Sequence, residues 1–269
     1  MIGFAELVSA FRRLNIPPLS PVVAHASLSA FGPVTGGAQT VVEALLEVYP
    51  VLIMPGFTYK TMVVPDVGPP DNALVYGSYA DANRRAEFFR PNMPVDRLMG
   101  AIPEALRRHA GARRSLHPIL SFIGVNADRF LDSQSLAEPL ALFRLLIDAR
   151  AWVLLLGVDH TANTAIHYGE RQAGRKQFVR WALTPRRVVE CPGFPGCSDG
   201  FNAIGPRLAY TVRQEWAGQA QLQAVPIFNL VGVTQDWLEA NPLALLCNHS
   251  YCERCRAIRT EFARFAQKH

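Results

Sequence analysis

Apolar residues recur along this chain at two spacings, and the switches between them outline its elements. Residues 1–14 carry apolar side chains at helical intervals and close on Arg12 and Arg13. Residues 21–28, PVVAHASL, read as a buried strand. Helical spacing returns at Val41, Val42, Leu45 and Leu46 within 38–48, and VLIMPGF at 51–57 is a second short buried strand. Residues 60–94 lack a period and are rich in Pro, Asn and Asp, which predicts a long ordered loop of the kind that often carries function. A helix is predicted over 96–109, a strand within 116–125 and an amphipathic helix over 135–150. AWVLLLGV at 151–158 is the clearest buried strand, and a helix follows over 161–172. A strand pair at 178–190 turns at Thr184-Pro185. A strand over 222–233 leads to a helix capped by Thr234 and running towards Leu246. A basic helix over 256–268 ends the series. Strands and helices alternate, so the expected class is α/β, a mostly mixed central β-sheet flanked by helices. No internal repeat is visible. The one candidate boundary lies near Pro185, giving a single domain over 1–269 with a cysteine-rich subregion at 186–256.

Composition adds bounds. Of 269 residues, 49% are hydrophobic, enough for a sizeable core. No apolar run reaches the roughly 18 residues of a membrane span. The N-terminal segment places its positive charge after its apolar run, the reverse of a signal peptide, so a soluble cytoplasmic protein is expected. The net charge is +5, with Arg dispersed along the chain. In order of preference this suits a solvated surface, a cofactor with several phosphates, and nucleic acid. All five cysteines, Cys191, Cys197, Cys247, Cys252 and Cys255, fall in the last third, and an odd count argues against a disulfide framework.

Three segments carry candidate chemistry. After the clearest strand, Thr164, His167 and Glu170 lie three apart, within an arc of about 120° on a helix. A Glu one turn from a His can hold one ring nitrogen and leave the other to take a proton, with a hydroxyl near a developing oxyanion. By spacing alone, an ordinary surface pair is the stronger reading. Asp159, His160, His167 and Glu170 also have metal-ligand chemistry, in no recognised metal spacing. Ser27, Ser29 and Gly36-Gly37 lie between a strand and a helix, where free N–H groups bind phosphate, although a plain connection looks the same. Arg113, Arg114, Ser115, His117 and Ser121 offer anion-binding and hydrogen-bonding groups at a strand start, or a basic loop edge.

Taken in order, these segments resemble the antibiotic N-acetyltransferase family, whose best-known members are aminoglycoside 3-N-acetyltransferases. The family's H-x-S-L-x-x-x-G-x-x-x-G-G segment is matched at 25–37. Its P-x-F-T segment appears as Pro55-Gly56-Phe57-Thr58. R-S-x-H-P-x-x-S is matched by Arg114, Ser115, His117, Pro118 and Ser121, and L-L-G-V followed by T-x-x-H-x-x-E at 155–170. The resemblance implies acetyl-CoA-dependent transfer to a small-molecule amine, on a fold unlike that of the GCN5-related acetyltransferases. It maps catalysis onto His167 as general base, with Glu170 and Thr164. It maps CoA contacts onto His25, Ala26, Ser27, Leu28 and Ser29, onto Val34, Gly36 and Gly37, and onto Arg114, Ser115, His117 and Ser121. The chain is then expected to act as a monomer or homodimer, with no nucleic-acid or membrane partner.

Two features depart from that pattern. A polycationic aminoglycoside calls for carboxylates around the acceptor; here the long loop offers Asp66, Asp71, Asp81 and Glu87. The cysteine region lies outside the matched motifs. Cys191, Cys197, Cys252 and Cys255, with Cys247 and His249 as alternative ligands, fit either a tetrahedral structural zinc site or a set of buried free thiols. Two other functions therefore stand beside acetyl transfer: a zinc-knuckle nucleic-acid binder, and a relative that binds a CoA thioester without turnover.

Overall fold

The computed structural model describes residues 1–266; the end of the basic helix expected over 256–268 lies outside them. The strands are β1 (Val22–Ala26), β2 (Leu52–Pro55), β3 (Met62–Val63), β4 (Ala112–Arg114), β5 (Phe122–Val125), β6 (Trp152–Leu156), β7 (Phe178–Leu183), β8 (Val188–Phe194), β9 (Arg213–Ala217) and β10 (Ala220–Pro226). The helices are α1 (Phe4–Arg13), α2 (Gly37–Val48), α3 (Ala80–Arg84), α4 (Ala101–Arg108), α5 (Asp128–Leu131), α6 (Leu142–Asp148), α7 (Thr164–Gln172), α8 (Gly205–Leu208), α9 (Ile227–Ala240) and α10 (Glu253–Ala266).

Seven strands form one mixed sheet in the order β4-β5-β2-β1-β6-β10-β9. Its centre is parallel: β1 pairs with β2 on one side and β6 on the other. The flanks, β4 and β5 at one edge and β10 and β9 at the other, are antiparallel. Side chains alternate across the sheet, as a two-residue period requires. Val22, Ala24, Leu52, Met54, Leu154 and Leu156 meet α1, α2 and α4 on one face. Val23, Ile53, Val153 and Leu155 meet α6, α7 and α9 on the other. Both faces of the central strands are covered, which explains why their sequences read as unbroken apolar runs.

β3, β7 and β8 form a separate three-stranded sheet. The long loop at 60–94 is mostly irregular, as expected, and two asparagines tie it down. Val179 N–H donates to Asn72 Oδ1 (2.8 Å), while Asn72 Nδ2 donates to Val179 O (3.0 Å). Asn83 repeats the arrangement on both backbone groups of Val64 (2.9 and 2.7 Å). Each amide stands in for a peptide group and satisfies backbone that the loop leaves unpaired.

Several expected elements change. The helix expected over 135–150 is confined to Leu142–Asp148, because Pro139 removes a donor and residues 135–138 close a turn on the Ser135 hydroxyl. The strand expected over 222–233 ends at Pro226, and α9 begins at Ile227. Thr234 is therefore inside α9 rather than at its cap, donating to Leu230 O at 2.7 Å. The helix expected over 96–109 is broken at Gly100, whose φ of +88° separates a 3₁₀ turn from α4. Pro185 follows Thr184 in the turn of the β7–β8 hairpin, and buried residues on both sides of it, among them Phe178 and Cys191, share one core cluster.

Candidate active site

A cavity of about 410 Å³ opens beyond the C-terminal ends of the three parallel strands, lined there by Ala26, Pro55 and Val158. β1 leads through α2 to β2 on one side, while β6 on its other side is entered through α6 on the opposite face, so the crevice is the switch point at which open α/β sheets bind ligands. Its size lies within the roughly 300–1,000 Å³ of small-molecule sites.

The helix that faces the cavity is fixed at its start. Asn163 precedes α7, and its side chain accepts from Ala165 N–H at 3.2 Å, a regular N-cap. Just before it, Asp159 accepts from Thr161 N–H at 3.0 Å and from Asn202 Nδ2 at 2.7 Å. The bonds place Thr164 and His167 on the cavity wall.

His167 Nδ1 is 2.8 Å from Glu170 Oε2, and its ring meets Phe201 edge-on at 4.7 Å between centroids. Glu170 is only 1% exposed. A buried carboxylate needs compensation, and Arg175 supplies it: Nη1 donates to Glu170 Oε1 at 2.6 Å. Arg175 is itself held by Pro242 O and Ala244 O at 2.6 and 2.7 Å. Gly174, at φ +74°, turns the chain back after α7 so that Arg175 reaches Glu170. With Nδ1 engaged, Nε2 is the ring nitrogen left for a ligand. The surface pair that spacing alone favours is a buried chain of three groups. Arg175 was missed because it lies beyond the helix, and the Gly174 C-terminal turn was the available signal.

His25 faces α7 from β1. Its Nε2 accepts a long bond from Thr164 N–H, 3.4 Å. Burial, and then the neighbouring His167, hold its pKa down to about 3, so it is neutral. As an acceptor at Nε2 it carries its proton on Nδ1, and it fixes the start of α7 rather than supplying charge.

The other residues mapped to CoA contacts separate into two groups. Ser27, Leu28 and Ser29 follow β1 into a 3₁₀ turn, with the two serine hydroxyls 3.1 Å apart. Val34, Gly36 and Gly37 form the turn into α2, where both glycines have positive φ and a Cβ on Gly37 would touch nothing within 4 Å. The turn is strapped by Ile2, whose N–H and carbonyl bond Pro33 O and Thr35 N–H at 2.9 Å each. These six stand beyond the cavity lining, whereas His25 and Ala26 belong to it.

Arg114, Ser115, His117 and Ser121 are all buried, and none lines the cavity. Arg114 donates to Gly56 O, to Met93 O at 2.6 Å and to Ser121 Oγ at 2.9 Å. Ser121 also donates to Gly56 O at 2.8 Å, and Thr58 donates to Pro118 O at 2.7 Å. Two of the recognised motifs thus bind each other and support the strand ends that carry Pro55 and Phe57. Burial lowers the His117 imidazole to about 4, keeping it neutral.

Asp66, Asp71, Asp81 and Glu87 do not line the cavity; Asp71, Asp81 and Glu87 pair with Arg264, Arg84 and Lys60. The carboxylate on the wall is Asp199, joined by Arg254.

The cysteines gather with one exchange of member. The thiols of Cys197, Cys247, Cys252 and Cys255 lie within 4.8 Å of one another. Cys191 is outside this group, buried on β8 with burial raising its thiol to about 12. His249 is also outside it, stacked on Tyr251. No helix among the described residues is long and apolar enough to cross a membrane.

An α/β sheet with a His–Glu–Arg chain at its switch point defines the class, and comparison with known proteins places it. The aminoglycoside 3-N-acetyltransferase family profile matches residues 23–239, and the chain belongs to that family. The aminoglycoside N(3)-acetyltransferase III of a Salmonella species is 31% identical over 190 residues, 66% of this chain and 64% of the relative. This chain therefore matches a little under two thirds of that relative's length. The aminoglycoside acetyltransferase AAC(3)-IVa apoenzyme has the same fold, with a TM-score of 0.79 at 23% identity over 96% of this chain and 97% of that one. AAC-IIIb in binary complex with CoASH gives a TM-score of 0.72 at 21% identity over 88% and 96%.

Proposed function

We propose that this protein transfers the acetyl group of acetyl-CoA to an amine of an aminoglycoside or a similar amino compound, with His167 as general base. The observation that carries the reading is the buried chain His167–Glu170–Arg175 at the cavity wall. Family membership supplies the reaction class, and a fold neighbour holding CoASH supports the cosubstrate. The amine nitrogen attacks the thioester carbonyl while His167 Nε2 takes its proton. Glu170 stabilises the resulting imidazolium, and Arg175 supplies the countercharge to Glu170 in its buried position. The Thr164 hydroxyl, one helical turn away, faces the developing oxyanion. The carbon–sulfur bond then breaks and CoA leaves as a thiolate, which takes up a proton. The Gly36-Gly37 turn at the start of α2 suits the CoA phosphates, since a Cβ at Gly37 would meet nothing within 4 Å and the first N–H groups of α2 follow it. Asp199 suits one ammonium of the acceptor.

We infer further that residues 1–269 work as one domain, because the core that packs α7 also contains Cys191 and Cys255. Five free cysteines suit a cytoplasmic location. The test is acetyl-CoA with a panel of aminoglycosides and small amines, following free thiol release. Steady release with an amine supports the reading. Binding of CoA with no turnover on any amine refutes it.

A further inference from the structure

The four clustered thiols lie beside the cavity, and the chain around them forms part of its wall. Gly196 and Ser198 flank Cys197, and both line the cavity, as does Asp199. Arg254 also lines it, from within the Cys252-x-x-Cys255 turn. Arg254 Nη1 donates to Gly196 O at 2.9 Å, joining the two segments directly. Cys197 and Cys255 are buried in the core cluster that packs α7.

We propose that Cys197, Cys247, Cys252 and Cys255 bind one zinc ion as four thiolates, and that this site holds the cavity wall formed by residues 195–199 and Arg254. Zinc–sulfur bonds of about 2.3 Å place the sulfurs of a regular tetrahedron about 3.8 Å apart. The observed spread of at most 4.8 Å needs only a small contraction to reach that geometry. The backbone already holds the two halves together: a Cβ at Gly200 would lie 2.5 Å from Leu245 O, so only glycine lets 197–200 lie against 245–247. The surroundings suit thiolates. Asp199 N–H donates to Cys197 Sγ at 3.4 Å. Four thiolates outnumber the two charges of the ion, and cations stand close by, with Arg259 donating to Cys247 O at 2.6 Å and Arg254 anchored at Gly196. Such outer contacts orient and stabilise metal ligands. His249 is exposed and Cys191 lies outside the group, so neither is a ligand.

The metal half of this proposal is independent of acetyl transfer; the wall half rests on reading the cavity as the substrate site. Full-length protein, purified without chelator, is analysed for metals, and its zinc is replaced by cobalt. We expect about one zinc per chain and the absorption of a tetrahedral cobalt tetrathiolate. C191S should keep the metal, and C252S should lose it. Folded protein without zinc, whether its thiols are free or paired as disulfides, overturns the metal site, as does zinc retained in C252S. For the wall, amide hydrogen exchange is compared before and after metal removal under reducing conditions. Exchange should rise at 194–200 and 252–256 and stay unchanged in β1 and β6. Unchanged exchange at 194–200 overturns the wall half, and a rise throughout the sheet overturns it in favour of a general folding role.

Discussion

Glu170 is held between His167 and Arg175, with the Arg175 guanidinium 2.6 Å from one carboxylate oxygen and His167 Nδ1 2.8 Å from the other. The Glu170 and Arg175 side chains are almost fully buried, so each is the other's main compensation for lost hydration. Replacing Arg175 by Met leaves the carboxylate without its countercharge. We expect a loss of about 3–5 kcal/mol in stability, measured by urea unfolding. A double variant, R175M with E170Q, should recover part of that loss without recovering activity.

His167→Ala removes the proposed base and leaves the other residues that line the cavity. A positioned base contributes about 10²–10⁴ in rate. The kcat for acetyl transfer should fall by that factor, with the KM for acetyl-CoA little changed. Near-wild-type turnover with CoA still bound would remove His167 from the mechanism.

His25 predicts an acid sensitivity with a definite sign. Its folded pKa is about 3 against an ordinary 6.5, so below pH 6.5 the unfolded chain takes up a proton that the folded chain refuses. Stability should therefore fall as pH drops from about 6.5 towards 3, by up to about 1.4 kcal/mol per pH unit from this group. H25Q keeps an acceptor for Thr164 N–H and cannot titrate. Its unfolding free energy, measured between pH 4 and pH 7, should lose that share of the slope.

Gly37→Ala separates backbone strain from ligand approach. The added methyl meets nothing within 4 Å, but φ is +63°. Forcing alanine into the left-handed region costs roughly 1–2 kcal/mol, visible as a lower Tm. If the CoA phosphates approach this turn, the KM for acetyl-CoA rises as well. A drop in Tm with an unchanged KM would move the phosphates elsewhere.

The central strands were legible because both their faces are buried. AWVLLLGV admits little else, and β1, β2 and β6 formed where the apolar runs stood. The same uniformity misled at 222–233, where a strand and a helix are both apolar and Pro226 marks the change. β9 went unread because neither face reads as apolar: Arg213 and Glu215 lie on one, and Gln214 and the exposed Trp216 on the other. At the site, motif spacing located His167 and Glu170, and the fold supplied what spacing lacks. Arg175 reaches Glu170 from beyond the helix, and Arg114 turns inward to Gly56. Asp199 and Arg254 come to the cavity from segments far apart in sequence. For the cysteines, spacing grouped Cys191 with Cys197, Cys252 and Cys255, whereas the thiols that cluster include Cys247 and leave Cys191 on β8.

His167, Glu170 and Arg175 all ride on one short stretch, residues 167–175, as a single cartridge. It is clamped at both ends: Asn163 and His25 bind the start of α7, and Arg175 is bound to the carbonyls of Pro242 and Ala244 on the segment just after α9. A substitution in that distant segment would therefore reach His167 through Arg175 and Glu170 without touching the cavity.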